Sequence, residues 1–261
     1  MKVSHLKQTD FSLVLSGGGA LGYAHLGVLA DLEKYNLIPK EIIGTSMGGI
    51  IGACLALGMK EQQIHSQIKT FSSALKWIRI ALSGNAIIDT KKIKEIFETI
   101  FENKKIGDTL IPLKIITTNL LTGAKKTFCA QDNVLIADAL LATIAVPGIF
   151  KEHTINGQVY GDGFLCENLG ISEATFDNII AVNLFGKKSL LPNMPNHFFK
   201  VANVLSMFER SMRLLMYHQA NMLIQNSNKN IYLIEPETYR FKTYHFHKVD
   251  EIRKAGLNLL S

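Results

Sequence analysis

The chain has 261 residues, of which 47% are hydrophobic and 19% are charged. The length excludes a mini-protein and suits one large α/β domain, and the apolar composition excludes a disordered chain. The net charge of +6 comes from scattered basic residues rather than one basic run, which argues against nucleic-acid binding and keeps an anionic membrane surface as a possible partner.

Segments typical of strands and of helices alternate along the chain. Short apolar runs predict strands, and apolar residues at intervals of three or four predict helices. In chain order the sequence predicts strand 11–15, helix 22–35, strand 41–44, helix 47–57, helix 90–101, strand 113–119, helix 134–145, strand 178–185, helix 197–225, strand 230–235 and helix 250–260. This alternation predicts a single α/β domain over residues 1–261, a three-layer sandwich with a mainly parallel central sheet.

Cysteine content and hydropathy bear on the compartment. The three cysteines form no CxxC pair, so neither a disulfide framework nor a zinc site is expected. The N-terminal apolar run is shorter than a signal peptide requires, and the most apolar window, 48–59, is shorter than the about 20 residues of a spanning helix. We expect a cytoplasmic protein that contacts a membrane only from outside.

A serine lies between two glycines where a predicted strand meets a predicted helix. Residues 44–48 read GTSMG, the G-x-S-x-G pattern of a sharp strand-to-helix turn that presents the Ser46 hydroxyl, here expected at the surface. The helix N-terminus below it favours the negative charge that develops during nucleophilic attack. The alternative is a helix N-cap, in which Thr45 or Ser46 only satisfies backbone groups.

A second glycine-rich segment, GGGALG at residues 17–22, also follows a strand and opens a helix. A P-loop is excluded because the required lysine is absent. A dinucleotide-binding fingerprint is formally matched by Gly17, Gly19 and Gly22, but the next strand ends in the Ser46 motif instead of an acidic residue. The remaining interpretation is a nest of backbone N–H groups that holds an oxyanion opposite Ser46.

An aspartate flanked by glycines, Asp162, is the third candidate. Such a sequence usually forms a turn, but it also leaves the carboxylate unobstructed, and a serine nucleophile needs a base. None of the eight histidines stands in a recognisable catalytic pattern. His25 is expected to pack on the first helix, and His245 and His247 are expected at the surface.

The order of GGGALG, GTSMG and DG resembles the patatin-like phospholipase family. Segment 142–150 and the C-terminal region resemble it too, so the likeness covers nearly the whole chain. The resemblance implies a Ser-Asp dyad of Ser46 and Asp162 without histidine, and an oxyanion hole at Gly17, Gly18 and Gly19. It implies no metal and no organic cofactor. The glycines that support these motifs are Gly22, Gly44, Gly48 and Gly163.

The resemblance implies hydrolysis of fatty-acyl esters of lipids, of the phospholipase A or lysophospholipase type. Two alternatives are an acyltransferase and a catalytically idle, lipid-sensing protein on the same fold. The sequence departs from small bacterial members at Leu21, where they usually carry Arg or Lys, and at Phe164, which follows Gly163. Leu21 removes a possible anion contact, whereas Phe164 narrows the pocket or adds an apolar wall.

The long predicted helix 197–225 carries one apolar stripe. It is interpreted as a helix packed on the sheet, with a membrane-contacting face flanked by lysines and Arg213 as the alternative. The stripe comprises Val201, Val204, Leu205, Phe208, Met212, Leu215, Met216 and Met222, opposite Asn203, Arg210 and Arg213, and the flanking lysines are Lys187, Lys188 and Lys200.

Overall fold

A computed structural model describes residues 9–74, 90–190 and 200–260, and an eight-stranded sheet forms its centre. The strands are β1 (Phe11–Leu15), β2 (Glu41–Thr45), β3 (Leu113–Asn119), β4 (Lys125–Phe128), β5 (His153–Ile155), β6 (Gln158–Asp162), β7 (Asn178–Val182) and β8 (Asn230–Ile234). Their order is β5-β6-β3-β2-β1-β7-β8, and β4 also pairs with β3.

The five strands β3, β2, β1, β7 and β8 pair in parallel, so the prediction of a mainly parallel sheet is confirmed. Strands β4, β5 and β6 add antiparallel pairs and were not predicted. Their sequences, KKTF, HTI and QVYGD, lack the apolar runs of the parallel strands. A strand that is covered on only part of its surface carries too few apolar residues to be detected by pattern.

Seven α-helices connect the strands. They are α1 (Ala24–Lys34), α2 (Met47–Ala56), α3 (Glu61–Ala74), α4 (Lys91–Phe101), α5 (Ile136–Thr143), α6 (Lys200–Gln225) and α7 (Val249–Lys254), counted over the described residues. Helix α3 was not predicted, and a 3-10 turn (Gly19–Tyr23) precedes α1 where one continuous helix was expected. Residues 197–199 of the predicted long helix lie outside the described residues.

The sheet separates two apolar clusters, as the alternation of side chains along β1 illustrates. Leu13 and Leu15 point into the larger cluster with helices α1 to α5 and α7, whereas Val14 points into the smaller one. Ala220 and Ile224 of α6 cover that second face. Helices therefore lie on both sides of the sheet, which confirms the three-layer α/β prediction.

The final helix is shorter than predicted, and a buried acid binds the residues that were expected to continue it. The Asp31 carboxylate accepts the N–H groups of Asn258, Leu259 and Leu260 at 3.0, 2.8 and 3.2 Å. Asn258 also has a positive φ of 58°, so the chain leaves the helical path. Within the described ranges, none of the helices combines the length and apolar character that crossing a bilayer requires.

Candidate active site

Ser46 lies at the sharp turn between β2 and α2. Its backbone has φ 52° and ψ −123°, a conformation that costs a non-glycine residue about 1–3 kcal/mol. The Ser46 N–H donates to Thr143 Oγ1 at 2.9 Å, and the Thr143 hydroxyl donates to the Ile116 carbonyl. Only 8% of Ser46 is exposed. The expected surface hydroxyl is therefore enclosed, at a strained position that Thr143 holds in place.

Two glycines around Ser46 allow backbone segments to approach closely. A Cβ atom on Gly44 would lie 2.5 Å from Gly49 Cα, and one on Gly48 would lie 2.2 Å from the Leu15 carbonyl oxygen. The close approach involves backbone atoms, which cannot rotate away as a side chain could. Both glycines are thus required by the packing of α2 against β1 and β2.

We expect Gly48→Ala to destabilise the fold by about 3 kcal/mol or more, because overpacking against rigid backbone forces a backbone shift. Gly49→Ala is the matched control on the same helix, since its Cβ would come no closer than 3.3 Å to Thr143 Cγ2 and 3.6 Å to the Gly44 carbonyl oxygen, and alanine favours helix. Urea unfolding of the two variants measures the difference. Equal stability would contradict the assigned contact.

Asp162 reaches the same end of the sheet from an antiparallel strand. It is the last residue of β6 and pairs with Thr117 of β3, while Thr45 of β2 pairs with Ile116 of the same strand. Ser46 follows Thr45, so the two registers place Ser46 and Asp162 at one level of the sheet. A turn was the alternative interpretation of Asp162, and the structure has a strand end there, followed directly by a 3-10 turn (Gly163–Leu165) that Asp162 caps.

The Asp162 carboxylate is fully buried. Its Oδ1 accepts the Phe164 N–H at 3.0 Å, and burial raises its pKa from 3.8 to about 7, while the Phe164 N–H and the Ser46 side chain lower it in part. Its Oδ2 has no hydrogen-bond partner of normal geometry in the described part of the chain. The Ser46 side chain therefore lies close enough to the carboxylate to lower its pKa.

The glycine-rich loop lies against Ser46. A Cβ atom on Gly17 would lie 3.1 Å from Ser46 Cβ, and the Gly17 N–H donates to the Asn168 carbonyl at 3.4 Å. Gly19 has a positive φ of 54°. Within the described ranges, the N–H groups of Gly18 and Gly19 donate no hydrogen bond to a backbone carbonyl. Two free backbone donors therefore lie in a loop that contacts Ser46.

A buried ion pair on α6 supports this loop. The Ala20 N–H donates to the Thr243 carbonyl at 2.8 Å, the Thr243 N–H donates to Glu209 at 3.1 Å, and Glu209 pairs with Arg213 at 2.9 Å. Arg213 is only 1% exposed and also donates to the Ser189 carbonyl. The prediction that Arg213 flanks a lipid-facing surface is therefore wrong, because its guanidinium neutralises the buried Glu209 carboxylate.

A cavity of about 610 Å³ opens beside Ser46, Asp162 and the three loop glycines. Most of its wall is apolar, and no histidine is among the described residues that line it. The large apolar side chains of the wall are Phe71, Phe150, Phe164, Phe185, Phe208, Met212, Met216 and Phe246. A cavity of this size and character suits a small or chain-like apolar ligand.

The histidines occupy other settings. His25 is buried as predicted, its Nε2 lies 2.8 Å from the Ser16 carbonyl, and burial lowers its pKa to about 4. His247 is exposed in a turn, whereas His245, which was also expected at the surface, is partly buried. His5 and His197 lie outside the described residues.

The two sequence departures differ in their placement. Leu21 is completely buried in the larger core cluster, whereas Phe164 lines the cavity. The sequence analysis did not identify Thr143, Asn168 and Gln219. These residues lie on other elements and support the site through hydrogen bonds. Gln219 of α6 accepts the Asn168 N–H at 2.7 Å. Nothing in the local sequence distinguishes these side chains from ordinary helix and loop residues.

The sequence pattern of the family described as Patatin-like phospholipase matches residues 13–175, a range that includes all three motifs. A lysophospholipase NTE1 of Scheffersomyces stipitis is 28% identical over 97% of this chain and 18% of its own length. A cUMP-AMP-activated phospholipase of Escherichia coli is 30% identical over 55% of this chain and 49% of its own.

An uncharacterized NTE family protein of Mycobacterium tuberculosis is 31% identical over 68% of this chain and 50% of its own length. This chain therefore spans half or less of the length of each of these relatives.

Proposed function

Because this chain belongs to the patatin-like phospholipase family and has the fold of that family, we propose that it is a serine acyl hydrolase that cleaves fatty-acyl esters of lipids. The observation that carries the proposal is the closeness of a strained serine to a buried carboxylate inside an apolar cavity. Ser46 is the nucleophile and Asp162 is the base. No histidine and no metal takes part in the proposed reaction.

In the first half-reaction, Asp162 accepts the proton of the Ser46 hydroxyl while Ser46 Oγ attacks the ester carbonyl carbon. The carbonyl oxygen becomes an oxyanion, which the N–H groups of Gly18 and Gly19 stabilise, with Gly17 completing the loop. The ester C–O bond then breaks, and the leaving alcohol takes the proton from Asp162. Removal of one such backbone donor typically costs about 10²–10³-fold in turnover.

In the second half-reaction, water attacks the acyl-enzyme. Asp162 accepts one proton of the water, the oxyanion forms again at the loop, and Ser46 leaves with the returned proton. The products are a fatty acid and free enzyme. If a lipid alcohol took the place of water, the same site would act as an acyltransferase.

The substrate class follows from the cavity wall. Phe164 and the other aromatic and methionine side chains offer an apolar surface to an acyl chain, and burial of each methylene group contributes about 0.8 kcal/mol. The polar groups of the wall are those of Ser46, Asp162 and the glycine loop, together with Asn168, Glu209 and Thr243. A fatty-acyl ester bound with its carbonyl at Ser46 and its chain along the apolar wall satisfies both parts of the cavity.

A fluorophosphonate probe tests the proposal directly. The probe reacts only with an activated serine, so we expect one covalent adduct, located at Ser46 by peptide mass spectrometry. The Ser46→Ala protein should remain unlabelled, whereas Ser66→Ala, a change at an exposed serine of α3, should label as well as the natural chain. A folded protein without an adduct would favour a catalytically idle, lipid-sensing role.

A further inference from the structure

Helix α6 has an inverted distribution of polarity. The face turned to the protein carries the charged pair Glu209 and Arg213, which are 4% and 1% exposed. The face turned outward is mostly apolar, although the exposed Ser211 and His218 also lie on it. Phe208, Leu215 and Met222 are 55%, 65% and 64% exposed. A surface helix of a globular protein normally shows the opposite arrangement.

The outward apolar residues share one side of the helix and form a surface that also contains Ser211 and His218. We call the apolar residues of this surface the α6 stripe, which consists of Val204, Met207, Phe208, Leu214, Leu215 and Met222. Met207 and Phe208 follow Val204 by three and four positions, Leu214 and Leu215 follow them by seven, and Met222 follows Leu215 by seven, so these side chains project to one side. At a rise of 1.5 Å per residue the stripe is about 27 Å long. Side chains of Val201 and Leu205, which were assigned to it from sequence, lie outside the described residues, as do those of Lys200 and Asn203.

The stripe adjoins the candidate active site through one residue. Phe208 belongs to the stripe and also lines the cavity beside Ser46. Leu165, which is 43% exposed, lines the cavity as well. An acyl chain could therefore pass from the stripe into the cavity along apolar side chains.

The charges around the stripe favour an anionic partner surface. Among the described exposed positions of α6 there is no aspartate or glutamate. Lys187 and Lys188 are exposed, and the adjoining Ser189 carbonyl accepts a hydrogen bond from Arg213 at 2.6 Å, so this lysine pair lies beside the helix. The chain as a whole has a net charge of +6.

We infer that the α6 stripe is a docking face for the surface of an anionic lipid bilayer. The helix lies in the plane of the interface, with its apolar face among the acyl chains and the lysines near the head groups. A second copy of the chain is a poorer occupant, because it would cover the cavity opening beside Phe208. The inference rests on the proposed function, since it explains how a lipid ester reaches Ser46.

The test uses the double variant Leu215→Glu/Met222→Glu, since neither residue lines the cavity. The matched control is Ile38→Glu/Leu110→Glu, which has the same charge change at residues 71% and 77% exposed. Those residues precede β2 and β3 and therefore lie at the opposite end of the parallel strands. Sedimentation with phosphatidylglycerol/phosphatidylcholine vesicles is measured in the Ser46→Ala background, so that binding is independent of catalysis.

We expect the stripe variant to bind these vesicles about 100-fold more weakly, because each removed apolar side chain contributes about tenfold or more to partitioning. The control variant should bind as the parent does, and binding of the parent should weaken between about 0.05 and 0.5 M salt. With an active Ser46, the stripe variant should hydrolyse a water-soluble short-chain ester normally and vesicle lipid poorly.

Two outcomes would overturn the inference without touching the proposed function. One is a protein that hydrolyses the soluble ester but shows no selective binding to anionic vesicles, either because it binds no vesicles or because it binds pure phosphatidylcholine vesicles as well as the phosphatidylglycerol-containing ones. The other is a parent dimer that the stripe variant converts to a monomer with vesicle binding unchanged, which would make the stripe a contact between copies. If the protein bound vesicles through the α6 stripe but had no esterase activity, the proposed function alone would be contradicted.

Discussion

The Ser46→Ala protein is expected to lose at least about 10⁴-fold in kcat/KM for ester hydrolysis, because the nucleophile of a covalent mechanism is removed. The fold should remain, since the lost hydroxyl faces a cavity and only 8% of the residue is exposed to solvent. Hydrolysis of a soluble ester and of lysophospholipid micelles, measured beside urea unfolding, separates the two effects.

Ser66→Ala serves as the control for Ser46→Ala and should retain full activity. Thr143→Val is a second useful comparison, because it removes the hydroxyl that accepts the Ser46 N–H without touching the nucleophile. Full hydrolytic activity of the Ser46→Ala protein would remove Ser46 from the mechanism and with it the proposed function.

The Asp162→Asn protein should lose as much activity as Ser46→Ala, because the two residues act as one unit. Asparagine preserves the shape of the side chain but accepts no proton. In the natural chain, kcat/KM should fall about tenfold for each pH unit below about pH 7, since the base must be ionised to act and burial raises its pKa to about 7. Loss of activity only on replacement of a histidine would point to a triad instead.

Asp162→Asn should also stabilise the protein above neutral pH. The pKa in the folded state, about 7, is higher than the ordinary value of 3.8, so the folded protein binds an extra proton between these pH values. Its stability therefore falls as pH rises through this window. We expect the free energy of unfolding of the variant to exceed that of the natural chain by about 4 kcal/mol near pH 8 and to match it near pH 4.

Denaturant unfolding at both pH values measures this gap. The control is Asp177→Asn, which makes the same change at a carboxylate that is 91% exposed. His25→Asn would not serve, because His25 packs against the end of β1. A stability gap that did not change between about pH 4 and pH 8 would mean that Asp162 keeps an ordinary pKa.

Features that depend on neighbouring residues were predictable from the sequence. The parallel strands have apolar runs, and the helix that follows Ser46 begins where predicted. The turn at Ser46 needs small residues two positions away on each side, so GTSMG indicated both its shape and its place between β2 and α2. The glycine-rich loop was detectable for the same reason, because its consecutive glycines are adjacent in sequence.

Features that depend on distant residues were decided only by the tertiary structure. Asp162 approaches Ser46 because β6 pairs with β3 in one register, and β6 lacks the apolar run that would predict a strand. Arg213 was placed beside a membrane-contacting face only in the alternative interpretation of α6, and a carboxylate four residues away and two loop carbonyls make its burial favourable instead. No periodicity in the sequence reports those partners.

The sequence by itself therefore determined the family and the layered α/β architecture. It also identified Ser46 and Asp162 as the candidate nucleophile and base. The tertiary structure alone decided the pKa of Asp162, the enclosure of Ser46 and the outward orientation of the α6 stripe. The physical reason is that chain-local geometry depends on residue type and spacing, whereas burial and strand register are properties of segments far apart in sequence.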